Sequence, residues 1–389
     1  MLKLLHRSEF RTTSSLSLFI DPDEYLKKKS YLKYLFSPEK SVSVKVKADG
    51  YLKENFRSRK RFFLNDDAVY RFDSAVVFDN GGIITSDNKL FTDHLLNDNV
   101  YKSVNHLKPN YLEAVKSRLS LNLLGRGEAS FDNPITASKY VSQPVFLFSS
   151  LRSESYSHFV WDTLTLLVNF FELKKVKHDL KLLVLEAGDK ESLPQYKKEF
   201  LSALGLDLNE VVFAGGSTVF VNELYVSDKL AINNKWVRRK SALFLNRLSS
   251  KPKVPGKMFF LDRNDYRKGV RSVTNEDNIR EKLQCCGFEI LTPGNMTLEE
   301  KQEKFSEASI VVSQYGGGVQ NQFLFPPDTH IILLQSSAFF RYILHFTESV
   351  YNQKVRSIIG KPLGNGNNSD YFIDEDLLMD VVGNAQESL

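Results

Sequence analysis

The sequence predicts an α/β protein of two units, and three observations carry that reading. A chain of 389 residues exceeds the size at which one hydrophobic core usually stops growing. From Pro144 onward, short apolar strands alternate with amphipathic helices, the pattern of a parallel sheet covered on both faces. The stretch KPKVPGK, Lys251 to Lys257, then interrupts the alternation with Pro252, Pro255 and Gly256 and offers little apolar weight. The boundary is expected there, giving domains 1–250, with a basic amino-terminal arm, and 251–389, Rossmann-like, with the last helix free to cross back.

The first quarter reads as basic helical stretches mixed with short strands. In AVVFDNGGIITSDNKLF the DNGG and SDNK turns separate apolar runs, so local contacts are expected to dominate. PVFLFSS (Pro144 to Ser150) is a strand, LRSESY a polar loop, and SHFVWDTLTLLVNFFEL a buried helix by its apolar spacing. LKLLVLEAG is the next strand, QYKKEFLSALGL an amphipathic helix stopped at Gly205, and VVFAGG and ELYVSD are further strands. A long polar helix, KWVRRKSALFLNRLSS, leads to the boundary. Beyond it KMFFLDR, FEILTP, ASIVVSQ and HIILLQSS are strands. NEDNIREKLQCCGF is a helix capped near Thr274, and TLEEKQEKFSEA is another.

Composition narrows the class. Hydrophobic residues at 42% and charged residues at 25% are those of a folded globular protein rather than a disordered one. A formal charge of +5 is too small to imply nucleic-acid binding. The clusters LKKKS, RSRKR and KWVRRK are solvated basic faces or contacts to phosphates or an anionic membrane surface. Cys285 and Cys286 are the only cysteines and are adjacent, which excludes a disulfide framework and, without a Cys/His ligand set, a structural zinc. No run of about 18 apolar residues occurs, so a cytoplasmic protein is expected. The sequons at Asn295 and Asn367 matter only in a secreted protein.

Three places can carry chemistry. SQYGGGVQNQFLF sets Tyr315, Gly316, Gly317, Gly318 and Asn321 at the carboxyl end of an apolar strand, where open α/β sheets bind ligands and glycine admits close backbone approach. Read as G-x-G-x-x-N, the stretch lacks the third glycine of the dinucleotide fingerprint, and HIILLQSS lacks its acidic residue. A mononucleotide or diphosphate suits it better than NAD; a tight structural turn is the plain alternative. FLDRNDYRKGVRS places Arg263, Arg267 and Arg271 just past another strand of the same domain, where guanidinium forks bind phosphate oxygens. In YSHFVWDTL, His158 and Asp162 lie four apart on one helix face, as a general base and its orienting partner would, or as a plain core hydrogen bond. Asn275 and Glu276 form a second tier, for ribose or base or as helix caps.

Taken in order, these segments resemble the family 61 glycosyltransferases, over roughly Ala75 to Leu378. The family's Y-x-H-W/F-x-x-D segment is matched by Tyr156, His158, Phe159 and Asp162. Its I-S-R, later arginine and N-E pair are similar to Leu261-Asp262-Arg263, Arg271 and Asn275-Glu276. Its G-F-E resembles Gly287-Phe288-Glu289, its G-P-H-G-A-A/G-L-x-N-x-x-F turn SQYGGGVQNQFLF, and its last aspartate Asp370. Tyr315 stands where the family has histidine and Ser313-Gln314 where it has G-P, both changes that would line a donor pocket. The family's usual glutamate in the next strand falls near Leu333.

The resemblance implies a GT-B type fold, two Rossmann-like domains facing a central cleft. It implies inverting transfer of a hexose or pentose from a nucleotide sugar, a UDP-sugar being favoured, without an obligatory metal or other cofactor. The nearest Asp-x-Asp string, Asp21 to Asp23, lies in the amino-terminal arm. The partners implied are the nucleotide-sugar donor and an oligosaccharide or lipid-linked glycan acceptor, as in capsular polysaccharide synthesis, with peripheral contact to the inner face of the cytoplasmic membrane through the basic clusters. Two other readings stand beside it. A nucleotide-sugar oxidoreductase or epimerase would need the full glycine fingerprint and a Tyr-x-x-x-Lys pair, and a non-catalytic carbohydrate-binding scaffold would have no use for His158 and Asp162.

Overall fold

A computed structural model describes residues 2–5, 31–37, 41–51, 59–63, 67–78, 81–86, 89–91, 121–124, 128–131, 135–149, 153–186, 188–232, 236–249, 251–263 and 271–389. The chain divides into two compact units: Met1–Ser41 with Phe63–Leu230, and Val42–Phe62 with Ala231–Leu389.

The first unit is a mixed sheet. Its longest strand, β1 (Asp67–Phe78), runs antiparallel to β5 (Val219–Ser227), from Val77 opposite Val219 to Val69 opposite Ser227. On the other side of β5 the sheet turns parallel: β2 (Val145–Leu147), then β3 (Lys181–Val184), then β4 (Val211–Phe213). All three residues of β2 are buried, as are Leu182, Leu183 and Val184. That unbroken apolar run is what a strand covered on both faces requires. The covering helices are α1 (Leu167–Lys174), reached through tighter and wider turns from Tyr156, and α2 (Gln195–Ala203). Gly205 stops α2 as expected: its φ of +82° is left-handed, and its N–H and that of Leu206 return to the carbonyls of Ser202 and Leu201.

The second unit opens with α3 (Arg239–Leu245) and then forms a nearly all-parallel sheet. Its strands are β6 (Lys257–Leu261), β7 (Glu289–Leu291), β8 (Ala308–Gln314), β9 (His330–Ser336) and β10 (Lys354–Pro362). They lie in the order β7-β6-β8-β9-β10, and the short strand Ala48–Gly50 adds in parallel beside β10. Counted within the unit the order is 2-1-3-4-5, a doubly wound sheet whose direction of winding reverses between β6 and β8. On one face α4 (Glu276–Cys285) buries Ile279 and Leu283 against Phe260, Ile310 and Val312. Further along that face Leu378 and Val382 of the last helix lie over Leu334 and Ile358. Between strands run α5 (Leu298–Phe305), α6 (Ile343–Tyr351) and, after β10, that last helix α7 (Glu375–Glu387). The start of α5 is a full capping box, Thr297 accepting from the Glu300 N–H and Glu300 accepting from the Thr297 N–H.

Several expectations are corrected. The second compact unit takes in the chain from Ala231, and its α3 packs on α6, where the Tyr351 hydroxyl donates to the Ala242 carbonyl at 2.9 Å. The long polar helix is accordingly seven residues with a 3₁₀ turn, and Ser241, Ala242, Phe244 and Leu245 are buried. The described residues of the first quarter hold strands and no helix, and their pairing is not local: β1 is completed by β5, and Ala48–Gly50 by β10. The sequence pattern did not yield α6 or β10. Among the described residues no helix is long and apolar enough to cross a membrane.

Candidate active site

Two groups of residues stand out, one in each unit. In the first, the chain leaves the carboxyl end of β2 and enters the helical run at Tyr156. Phe159–Thr163 is a π-helical turn, a widened turn that often marks function. His158 precedes it and Asp162 lies within it, and the His158 Nδ1 lies 2.6 Å from the Asp162 Oδ2. Asp162 is fully buried, while 15% of the His158 side chain is accessible. A carboxylate only accepts, so Nδ1 carries the hydrogen of this bond, and in the neutral ring that leaves the lone pair on Nε2.

Around this pair lies a set that sequence reasoning missed. Glu186, two residues past β3, accepts from the Ser153 hydroxyl at 2.7 Å and from Lys197 Nζ at 2.6 Å to both oxygens. The Lys197 ammonium is buried and sits 5.2 Å from the Phe159 ring centre. Tyr196 packs against Tyr156 and Phe159. Burial, reinforced by the charges of Glu186 and Glu154, pushes the Tyr196 hydroxyl up to about 12, so it stays a neutral donor. Glu186 was legible in principle: LVLEAG puts it past a strand end, the same criterion that selected Arg263.

In the second unit the reversal point between β6 and β8 gathers most of the predicted residues. Arg263 follows β6 and Gly316 follows β8. The two touch: a Cβ on Gly316 would stand 3.1 Å from Arg263 Nε and 3.3 Å from its Cδ. A Cβ on Gly318 would stand 2.9 Å from Cγ of Pro293, in the turn after β7. At Gly318 an added side chain would clash with the proline ring, whereas at Gly316 it would have to push the Arg263 side chain aside. The glycines lead not into an amphipathic α-helix but into a six-residue 3₁₀ run, Val319–Leu324, wholly buried. Asn321 folds back within it, donating at 2.9 Å to the Gly318 carbonyl and at 3.4 Å to that of Gly317.

The acidic and amide groups nearby brace the site. Asp262 is buried, accepts from the Thr292 hydroxyl at 2.8 Å and pairs with Arg280 at 3.2 Å. Glu276, in the first turn of α4, lies 3.8 Å from the same Arg280. Burial raises its carboxyl above the usual range, opposed by the side chains of Gln314 and Arg280. The Asn275 amide is tied into the fold: its nitrogen donates to the Ile373 carbonyl and to Glu375, both at 2.8 Å, and its oxygen accepts from the Ile373 N–H at 3.2 Å. That places Asn275 as a brace to the chain before α7 rather than in an open pocket.

Arg271 adopts a left-handed backbone with φ of 58°, a conformation costing a non-glycine residue on the order of 1 kcal/mol. It is held by Asn368, whose carbonyl accepts the Arg271 N–H at 3.1 Å, and by Asp370, which accepts the Ser272 N–H at 2.8 Å. Its guanidinium carbon sits 4.0 Å from the centre of the Phe339 ring. Tyr315 packs near the same ring, at 6.3 Å between centres. Arg341, which sequence reasoning missed, lies on that ring too, at 3.4 Å. Arg267 lies outside the described residues, as do the clusters at Leu26 to Ser30 and Asp21 to Asp23. Among the described residues no three His, Cys, Asp or Glu side chains gather as a metal site would.

Fold and site together define an α/β protein with an arginine and glycine cluster at a sheet's reversal point and a separate histidine–aspartate pair. The model of the Glycosyltransferase 61 family matches residues 156–332, a span that begins at Tyr156, holds His158, Asp162, Arg263 and the three glycines, and ends inside β9. That match supports assigning the chain to glycosyltransferase family 61. A comparison with curated proteins gave no significant match.

Proposed function

We propose that the protein transfers a sugar from a nucleotide-activated donor to a hydroxyl of a glycan acceptor, with inversion at the anomeric carbon, as an enzyme of the GT-B class. The observation that carries this reading is the meeting of Arg263 with Gly316 at the reversal point of the second unit's sheet, the place where doubly wound sheets hold nucleotides. There the Arg263 guanidinium neutralises charge building on the departing diphosphate. A UDP-sugar is the favoured donor.

In the first unit His158 is the general base. The buried Asp162 fixes its tautomer, so Nε2 takes the proton from the attacking hydroxyl while the oxygen displaces the nucleoside diphosphate in one step. Tyr156, Tyr196 and Glu186 offer the aromatic and acceptor groups that a sugar ring prefers. The acceptor is a surface or capsular glycan, lipid-linked or free, met by a cytoplasmic enzyme at the membrane's inner face.

The test is a thermal-shift series with UDP, GDP, CMP and NAD, with EDTA in a parallel set. A ligand at about 100 times its Kd stabilises the folded chain by roughly 2.7 kcal/mol. One nucleoside diphosphate should raise Tm, EDTA should leave the shift in place, and Arg263→Ala should weaken binding by about ten- to a hundredfold, the worth of one charge-assisted contact. A shift with NAD alone would assign the site to an oxidoreductase. No shift with any of them would favour the scaffold.

A further inference from the structure

The Glu186 carboxylate is held firmly and left open on one side. A carboxylate has about four lone-pair sites in all. Ser153 Oγ donates to Oε1 at 2.7 Å, and Lys197 Nζ lies 2.6 Å from each oxygen. Among the described residues nothing takes the remaining site, on Oε2, and 34% of the Glu186 side chain is accessible.

The partner that holds it is buried. Only 2% of Lys197 is accessible, and its Nζ also sits 5.2 Å from the centre of the Phe159 ring, next in sequence to His158. One ammonium therefore joins the loop after β3, through Glu186, to the π-helical turn, through Phe159. β2 and β3 are parallel neighbours, so Glu186 and the run that carries His158 follow the carboxyl ends of adjacent strands, the side on which such sheets hold ligands. Tyr196 completes the surroundings. Its ring lies 5.4 Å from that of Tyr156 and 5.6 Å from that of Phe159, and its hydroxyl reaches the Glu154 carbonyl only at 3.4 Å. Aromatic faces beside a fixed polar acceptor are what a sugar ring uses, its C–H face on the rings and a hydroxyl on the acceptor.

A buried ammonium is a weak device for stability, since well-packed apolar residues in place of an ion pair are often as good or better. What this pair adds is the open side of its carboxylate. We infer that Glu186 is a specificity-determining residue for the acceptor: Oε2 accepts a hydrogen bond from a pyranose hydroxyl other than the one that reacts, while Lys197 and Ser153 orient the carboxylate for it. The inference rests on the proposed function, in that the pyranose belongs to the glycan acceptor. His158 then acts on one hydroxyl and Glu186 selects by another.

The experiment is a saturation-transfer NMR titration of the full chain with the methyl glycosides of glucose, galactose and mannose, each alone and beside UDP. At least one should bind, and Glu186→Gln should weaken it by about tenfold or more, the worth of a hydrogen bond to a charged group. Glu186→Gln also leaves Lys197 buried without its carboxylate, so the double variant Glu186→Gln, Lys197→Met is the second arm. It should recover any Tm lost in the single variant and still bind the sugar weakly. No binding of any of the three glycosides, or binding as tight in the double variant as in the unaltered chain, overturns the inference and leaves Glu186 as the counter-charge of Lys197. Failure here is separable from failure of the function. A nucleoside diphosphate that raises Tm, beside a sugar interaction that ignores Glu186, sinks the acceptor role alone. Glycoside binding that needs Glu186, in a chain that binds no nucleotide, upholds the sugar contact and sinks the transferase.

Discussion

The two groups of functional residues are built on opposite plans. His158 and Asp162 are the two ends of five consecutive positions in one helical run, joined by a 2.6 Å hydrogen bond. The arginine and glycine cluster of the second unit draws on the ends of β6 and β8, and Arg263 and Gly316 belong to different loops. The first arrangement depends on local helix geometry and survives wherever the helix forms. The second depends on strand order, because Arg263 and Gly316 meet only when β6 and β8 are neighbours. A histidine and an aspartate four apart can therefore be read from a string of letters, whereas the meeting of an arginine and a glycine across two strand ends is a property of topology.

The largest expected effect breaks this comparison along its seam. His158→Ala should lower kcat by about 10²- to 10⁴-fold, the usual worth of a positioned general base, and leave nucleotide affinity unaltered. Asp162→Asn should lower kcat as well, since an amide nitrogen facing Nδ1 favours the wrong tautomer. Transfer assays beside nucleotide thermal shifts would separate the two sites. A His158→Ala protein that keeps its rate would make the pair a core hydrogen bond and nothing more.

A smaller effect tests the glycines against each other. At Gly318 a Cβ meets the rigid Pro293 ring at 2.9 Å, so Gly318→Ala should destabilise the second unit by about 1–3 kcal/mol, the cost of overpacking. At Gly316 a Cβ meets the movable Arg263 side chain at 3.1 Å, so Gly316→Ala should leave Tm nearly unchanged and weaken nucleotide binding instead. Denaturant melts and nucleotide titrations on both variants would read this difference. If both lose only stability, the glycines are a packing device and Arg263 is placed for some other reason.

These same residues mark what the sequence could convey. The apolar runs of β2, β3, β6, β8 and β9 were readable because each is buried on both faces, and Gly205 was readable because a helix end favours a left-handed residue. The glycine turn was readable as a place but not as a mechanism: nothing local announces that Pro293 and Arg263 lie across it. Nor does AFFRY announce that the Arg341 guanidinium stacks on the Phe339 ring, which an arginine from a different loop also approaches. The short strand Ala48–Gly50 joins β10 across most of the chain, and α3 belongs to the second unit through Tyr351; neither pairing leaves a periodic trace.

The smallest expected effect concerns the contrast between two histidines. His158 has a carboxylate at Nδ1 and an accessible edge, whereas His345 is buried on α6 with Nε2 at 2.9 Å from the Ser357 hydroxyl. Burial, with a smaller push from the Lys47 charge, lowers the His345 imidazole to about 3. The folded chain then refuses a proton that the unfolded chain accepts below about pH 6.5, the ordinary histidine value. The stability this neutral ring contributes is complete above that pH and is lost as pH falls toward 3, at up to about 1.4 kcal/mol per pH unit. His345→Gln should flatten that decline, measurable as the pH dependence of the denaturant midpoint between pH 6.5 and 4.5. An unchanged slope would mean that the ring reaches water or an acid group in solution. His158 would then no longer stand apart from His345 as the histidine placed to move a proton.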